Sequence, residues 1–153
     1  MATRKDLYAK FGETAEAAQL FETASGTVLL GLKGKENNWH LSPDPAVGKA
    51  FLNSVEKSTL GHLLKQIDPH IQITGDMPDI FKTGVEVRNR LFHGFYERHN
   101  FKIQTDEGRD VMIKDLEQMH NQLVSSWQAM EQIGDALWDL IKEDKKILSS
   151  DDE

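Results

Sequence analysis

The chain predicts an all-α fold, an antiparallel bundle of four to five helices. Three observations carry that prediction. Apolar residues recur at three- and four-residue intervals over long stretches, no segment alternates apolar with polar residues as a half-buried strand would, and glycine, proline and capping residues fall where helices must start and stop. With 153 residues and 39% apolar content, a single domain over residues 1–148 is expected to enclose one core, followed by a frayed acidic tail at 149–153.

The first helix is expected over residues 3–33. Thr3 and Asp6 have the spacing of a capping pair, and Leu7, Phe11, Ala15, Ala18, Phe21, Val28, Leu29 and Leu32 form its apolar face. Gly34 offers a left-handed stop before the polar loop 35–42. Asp44-Pro45 supplies an N-cap and a first-turn proline for a second helix, which Gly48 and the polar run 53–58 weaken. A restart at Ser58-Thr59 places Leu60, Leu63, Leu64 and Ile67 on one face and ends before Asp68-Pro69, because the residue preceding proline avoids helical geometry. Residues 68–77 show no period and read as a surface loop. Pro78-Asp79 opens a long helix to about His99. The last helix runs from near Thr105 to about Lys146 along a stripe that includes Met112, Leu116, His120, Leu123, Trp127, Met130, Gly134, Trp138 and Ile141.

Composition narrows function. There is no cysteine, which removes disulfides, thiolate metal sites and cysteine nucleophiles. No apolar run approaches the length of a bilayer crossing and the first residues carry no apolar signal core, so a cytoplasmic protein with no membrane partner is expected. The net charge of −7 argues against a protein that coats nucleic acid without regard to sequence. One segment departs from that balance: Lys82, Arg88, Arg90, Arg98 and Lys102 stand against Glu86 and Glu97, a local net of +3.

Within that segment one residue breaks the binary pattern. On a helical wheel with Arg88 at the origin, Phe81, Gly84, Val85, Leu91, Phe92 and Phe95 fall within about 60° of it. A guanidinium at the centre of an apolar stripe is costly unless compensated. Asn89, Tyr96, Lys82 and His93 flank the stripe, with Asn89 and His93 four residues apart on nearly one line.

The run Val87-Arg88-Asn89-Arg90-Leu91-Phe92-His93-Gly94-Phe95-Tyr96 resembles the motif of HEPN domains, an arginine followed by a polar residue and, a turn later, a histidine. The preceding Thr59-Leu-Gly-His-Leu-Leu segment is similar to that of some small bacterial HEPN-like proteins. The resemblance implies an all-helical bundle that dimerises so that two motifs line a cleft at the two-fold axis, and a metal-independent endoribonuclease in a toxin, defence or stress context. It implies Arg88 and His93 as the catalytic pair, Asn89 as the accompanying polar residue, and an antitoxin as a possible protein partner. One subgroup of toxins has tyrosine two residues after the histidine; Phe95 stands there in this chain, so regulation by modification of that tyrosine is not inferred.

The residue types suit that chemistry on their own account. RNA transesterification needs a 2′-hydroxyl deprotonated, a phosphorane stabilised and a 5′-oxygen protonated. Histidine, with an ordinary pKa of about 6.5, exchanges protons near neutrality, and arginine forks onto two phosphate oxygens. On an ideal helix the two side chains diverge by about 140°, which calls for a second copy or for a helix distorted near Gly94. Arg90, Arg98, His99 and Lys102 are candidates to guide an RNA backbone, and Tyr96 to stack on a base.

Plainer readings stand beside these. Arg88 would be structural if paired with Glu13, Glu16 or Glu22, and His93 a solvated flank residue. His120 fits a hydrogen-bonded interior position. Asp68, His70, Asp76 and His62 lack metal-ligand spacing, and Glu131, Asp135 and Asp139 form a wet helix face. Trp127 and Trp138 read as core or interface, whereas Trp39-His40 is a candidate exposed partner site. No cofactor is implied. Two other functional classes are kept: a catalytically silent helical module that binds a nucleotide or protein, and an antitoxin or accessory subunit with an acidic surface.

Overall fold

The computed structural model describes residues 1–67 and 75–151. These form six α-helices: α1 (Arg4–Glu36), α2 (Pro45–Glu56), α3 (Leu60–Ile67), α4 (Met77–Phe92), α5 (Phe95–His99) and α6 (Asp106–Ser150), with a single 3₁₀ turn at Asn100–Gln104 before α6. No strand is present among the described residues, so the all-α class holds. Most of the loop expected at 68–77 and the last two tail residues lie outside the described residues.

Three boundaries differ from the sequence expectation, each for a local reason. The helix expected to reach His99 breaks after Phe92, because Gly94 takes a φ of +92°. α1 passes through Gly34 and closes instead at Asn38, whose φ is +55°. There the amide of Trp39 donates to Gly34 O at 2.8 Å and that of Asn38 to Lys35 O at 3.2 Å, the paired closure of a left-handed C-cap. α6 extends to Ser150, so the tail begins as helix.

The contacts divide the described chain into two compact units. The first comprises residues 1–21 and 75–128. Its entry is fixed by the expected capping pair: Thr3 N–H donates to Asp6 Oδ2 at 2.8 Å and Asp6 N–H to Thr3 Oγ1 at 3.1 Å. Leu7, Ala17, Ala18, Val87, Leu91, Phe95, Met112, Leu116, Met119 and Leu123 form one buried cluster. Each large side chain in it contributes about 1.5–3 kcal/mol by leaving water. Within this unit the chain through α4 into α5 runs antiparallel to α1, since Phe21 meets Phe81 of α4 and Phe11 meets Phe95 of α5. It also runs antiparallel to α6, since Ile80 O accepts from Ser126 Oγ and Arg90 faces Asp115. α1 and α6 are therefore parallel here, as the Ala2–Asp110 and Glu13–His120 pairs register. Gly84 is what lets α4 approach so closely: a Cβ there would come within 2.8 Å of Phe21 and collide with the Ser126 hydroxyl.

The second unit comprises residues 22–67 and 129–151 among those described. The Asp44 carboxylate accepts from Val47 N–H at 3.3 Å and Pro45 occupies the first turn, as the sequence suggests. Val55 of α2 packs on Gly26 and Leu137 of α6 on Gly31. Leu137 rather than Trp138 thus faces α1, and Trp138 is exposed with Lys142 over its ring. The Trp39-His40 pair is not the open surface expected: Trp39 packs against Gly34 and Phe51, and the His40 imidazole is enclosed beside Asp144. No helix among the described residues is long and apolar enough to cross a membrane.

Candidate functional site

The residues singled out by the motif all lie in the first unit, around the C-terminal end of α4. Arg88 is half-buried and sits on the flank of the buried face rather than at its centre. α4 buries Phe81, Gly84, Val87 and Leu91, whose mean direction lies about 45° from Arg88. The wheel had counted Phe92 and Phe95 toward the stripe, yet Phe92 is exposed and Phe95 belongs to α5, so the centre moves toward Val87.

The guanidinium meets neighbours on its own helix. Nη1 donates to Asn89 Oδ1 at 3.3 Å, and the cation lies over the Phe92 ring, 5.0 Å from its centroid. The second is an i,i+4 pairing that brings the two side chains together along the helix surface. Glu13, one of the carboxylates that could have made Arg88 structural, faces Lys10 and His120.

His93 is exposed and is the first residue outside the helical conformation, with φ −116° and ψ 82°. The helix is interrupted at Gly94, where the sequence allowed for a distortion. Arg98 secures the distortion. Its Nη1 donates to His93 O at 3.1 Å and its Nη2 to Arg90 O, so one planar cation grips two carbonyls that the end of α4 leaves unpaired. The side chain expected to guide RNA is engaged in shaping the turn.

Arg90 is likewise engaged, with Nη2 3.8 Å from Asp115 Oδ1. The other oxygen of Asp115 lies 2.7 Å from His99 Nε2, and the buried His99 ring packs edge-on against Phe95 with 4.8 Å between centroids. His99 is therefore an anchor of the α5 turn rather than a surface guide for a backbone. The Tyr96 ring packs on Phe11 and Phe95 while the residue stays partly exposed, and burial, with a smaller contribution from nearby Tyr8, raises its hydroxyl pKa above the ordinary value. Lys102 is exposed on the 3₁₀ turn, which also projects Phe101 into solvent.

Arg109 braces that turn from α6. Its Nη1 donates to Ile103 O and its Nε to Ala2 O, both at 2.7 Å, while Nη2 pairs with Asp106. Asp115 and Arg109 were not foreseen. Asp115 had a usable signal, because it lies about 60° from Met112 at the margin of the α6 stripe, the same kind of pattern break that marked Arg88. Arg109 had only its i,i+3 pairing with Asp106, since its other partners are main-chain oxygens.

No family model, no curated protein and no solved structure matches this chain. Among the described residues no three histidine, aspartate or glutamate side chains are grouped so as to hold a metal ion.

Proposed function

We propose that the end of α4 is the active site of a metal-independent endoribonuclease of the HEPN kind. What supports this reading is one local arrangement: Arg88 and Asn89 joined by a hydrogen bond in the last turn, and His93 exposed just beyond it, turned out of the helix at Gly94. In this reading Arg88 neutralises the charge that grows on the phosphorane, and His93 moves a proton to or from a ribose oxygen. Asn89 keeps its amide hydrogens for a phosphate oxygen because its carbonyl oxygen is occupied by Arg88. A homodimer with two motifs on one cleft would supply a second His93, so that one imidazole acts as base and the other as acid.

Tyr96 and Lys102 stay in the proposal as substrate contacts at the rim; Arg90 and Arg98 move to the supporting structure. The test is incubation of purified protein with RNA in chelator. Wild type is expected to cut, with Arg88→Ala and His93→Ala at least a hundredfold slower, in line with loss of one electrostatic or acid–base group. Equal cutting by all three would mean a contaminating nuclease and end the reading.

A further inference from the structure

The second unit holds a cavity that the motif does not use. It opens where α2 and α3 meet α1, and its volume is about 310 Å³. That is the lower end of the range for small-molecule sites, room for one small organic molecule but not for a folded partner. The buried side chains of Val55, Leu60 and Leu63 line it, so a hydrocarbon that enters is taken out of water. Its charged lining has one sign. Glu22 of α1 and Glu56 of α2 both border the cavity, and among the described residues no lysine, arginine or histidine does. The hydroxyls add to the same bias. Thr27 Oγ1 donates to Thr23 O at 2.9 Å and Ser58 Oγ to Ser54 O at 2.8 Å, so these two groups have only lone pairs left to offer a visitor.

We propose that this cavity binds a small organic cation, a primary amine carried on a short apolar body. Glu56 supplies the main counter-charge and Glu22 adds to it from α1. A carboxylate beside apolar surface attracts a cation more strongly than one in open water, because fewer solvent dipoles screen the pair. An anion would instead meet two carboxylates and, among the described lining residues, no cation. A neutral apolar molecule would take water from the carboxylates and return no hydrogen bond. The ammonium satisfies both demands at once: its three N–H groups reach the acceptors while its hydrocarbon covers the leucines. The inference stands apart from the nuclease reading, since every residue in it belongs to the second unit and the motif belongs to the first.

The experiment titrates phenethylamine into the full chain and follows backbone amide shifts in isotope-labelled protein. Phenethyl alcohol and 3-phenylpropionate, which keep the ring and change the charge, are run beside it, so the sign of the site is tested without any variant. The amine is expected to saturate with a dissociation constant of about 1 mM or lower, to shift residues 22–30 and 52–63, and to bind at least tenfold more tightly than the alcohol, in line with one charge-assisted hydrogen bond. Glu56→Gln keeps the shape, removes the charge and should weaken the amine about tenfold while leaving the alcohol unchanged. Asp135→Asn removes the same charge from an exposed place on α6 and should change nothing. Thermal melts confirm that both variants are folded. Equal binding of the alcohol, or tighter binding of the carboxylate, would overturn the proposal. So would an equal loss in the two variants, which would mean general attraction to a chain of net charge −7. Shifts that map away from the cavity, or none that saturate, would overturn it as well.

Discussion

Arg98 illustrates how a surface cation can be committed to the fold. It holds the carbonyls of Arg90 and His93 through a planar fork, a geometry lysine does not have. Arg98→Ala and Arg98→Lys are both expected to lose about 1 kcal/mol of stability, a figure kept small by exposure. In the cleavage assay both should lower kcat while leaving KM near wild type, which separates positioning from RNA binding. Asp115 gives the converse case. Asp115→Ala leaves His99 Nε2 without its partner in a buried place and should cost about 1–3 kcal/mol in urea unfolding, more than an exposed pair would. The sequence disclosed Arg88 at this scale because a cation among apolar neighbours is visible on a wheel. The roles of Arg98 and Arg109 were invisible, because nothing in a residue's identity says that it will bind main-chain oxygens of distant residues.

Glycines make the clearest predictions for the helices. Gly12 in α1 faces open space, so Gly12→Ala should stabilise by up to about 1 kcal/mol through helix propensity. Gly108→Ala should do the opposite and severely, because a Cβ there meets the backbone carbonyl of Lys102, which cannot swing aside. A pair of thermal melts decides both. Gly94→Ala should also destabilise, by about 1 kcal/mol or more, since a side chain is strained at φ +92°. The α1 cap adds a pH dependence. The hydrogen bonds from Thr3 hold the Asp6 pKa below its ordinary value, so their contribution is present above the unfolded carboxylate pKa of about 3.9 and is lost as pH falls through the lower folded one. Asp6→Asn should therefore differ from wild type in urea midpoint near pH 6 and converge with it near pH 2. Helix starts were legible because Thr3, Asp44 and the prolines act locally. Helix ends were less so: both Gly34 and Asn38 can close α1, and packing against Trp39 keeps Gly34 within the helix.

Over the whole chain, the net charge of −7 confines any RNA contact to a small basic area. If all four of Arg88, Arg90, Arg98 and Lys102 met phosphates, log affinity would fall with log salt at a slope near −3, given about 0.7 per phosphate on single strands. With Arg90 and Arg98 engaged inside the protein, a shallower slope is expected, and Lys102→Ala should flatten it by about 0.7 in a fluorescence titration. The all-α class was readable from periodicity alone, and so were most of the buried positions on α1 and α6. The division into two compact units was not, since α1 and α6 each run through both without a break in their pattern that marks the boundary.

The fork of Arg98 grips oxygens that every amino acid possesses. Whatever side chain stood at position 93, the bend after α4 would have the same two anchors. Under the proposed reading, chemistry and architecture are thereby uncoupled at this spot: a descendant that exchanged the imidazole for something inert would inherit an unaltered silhouette, and its loss of cleavage would leave no mark on its shape.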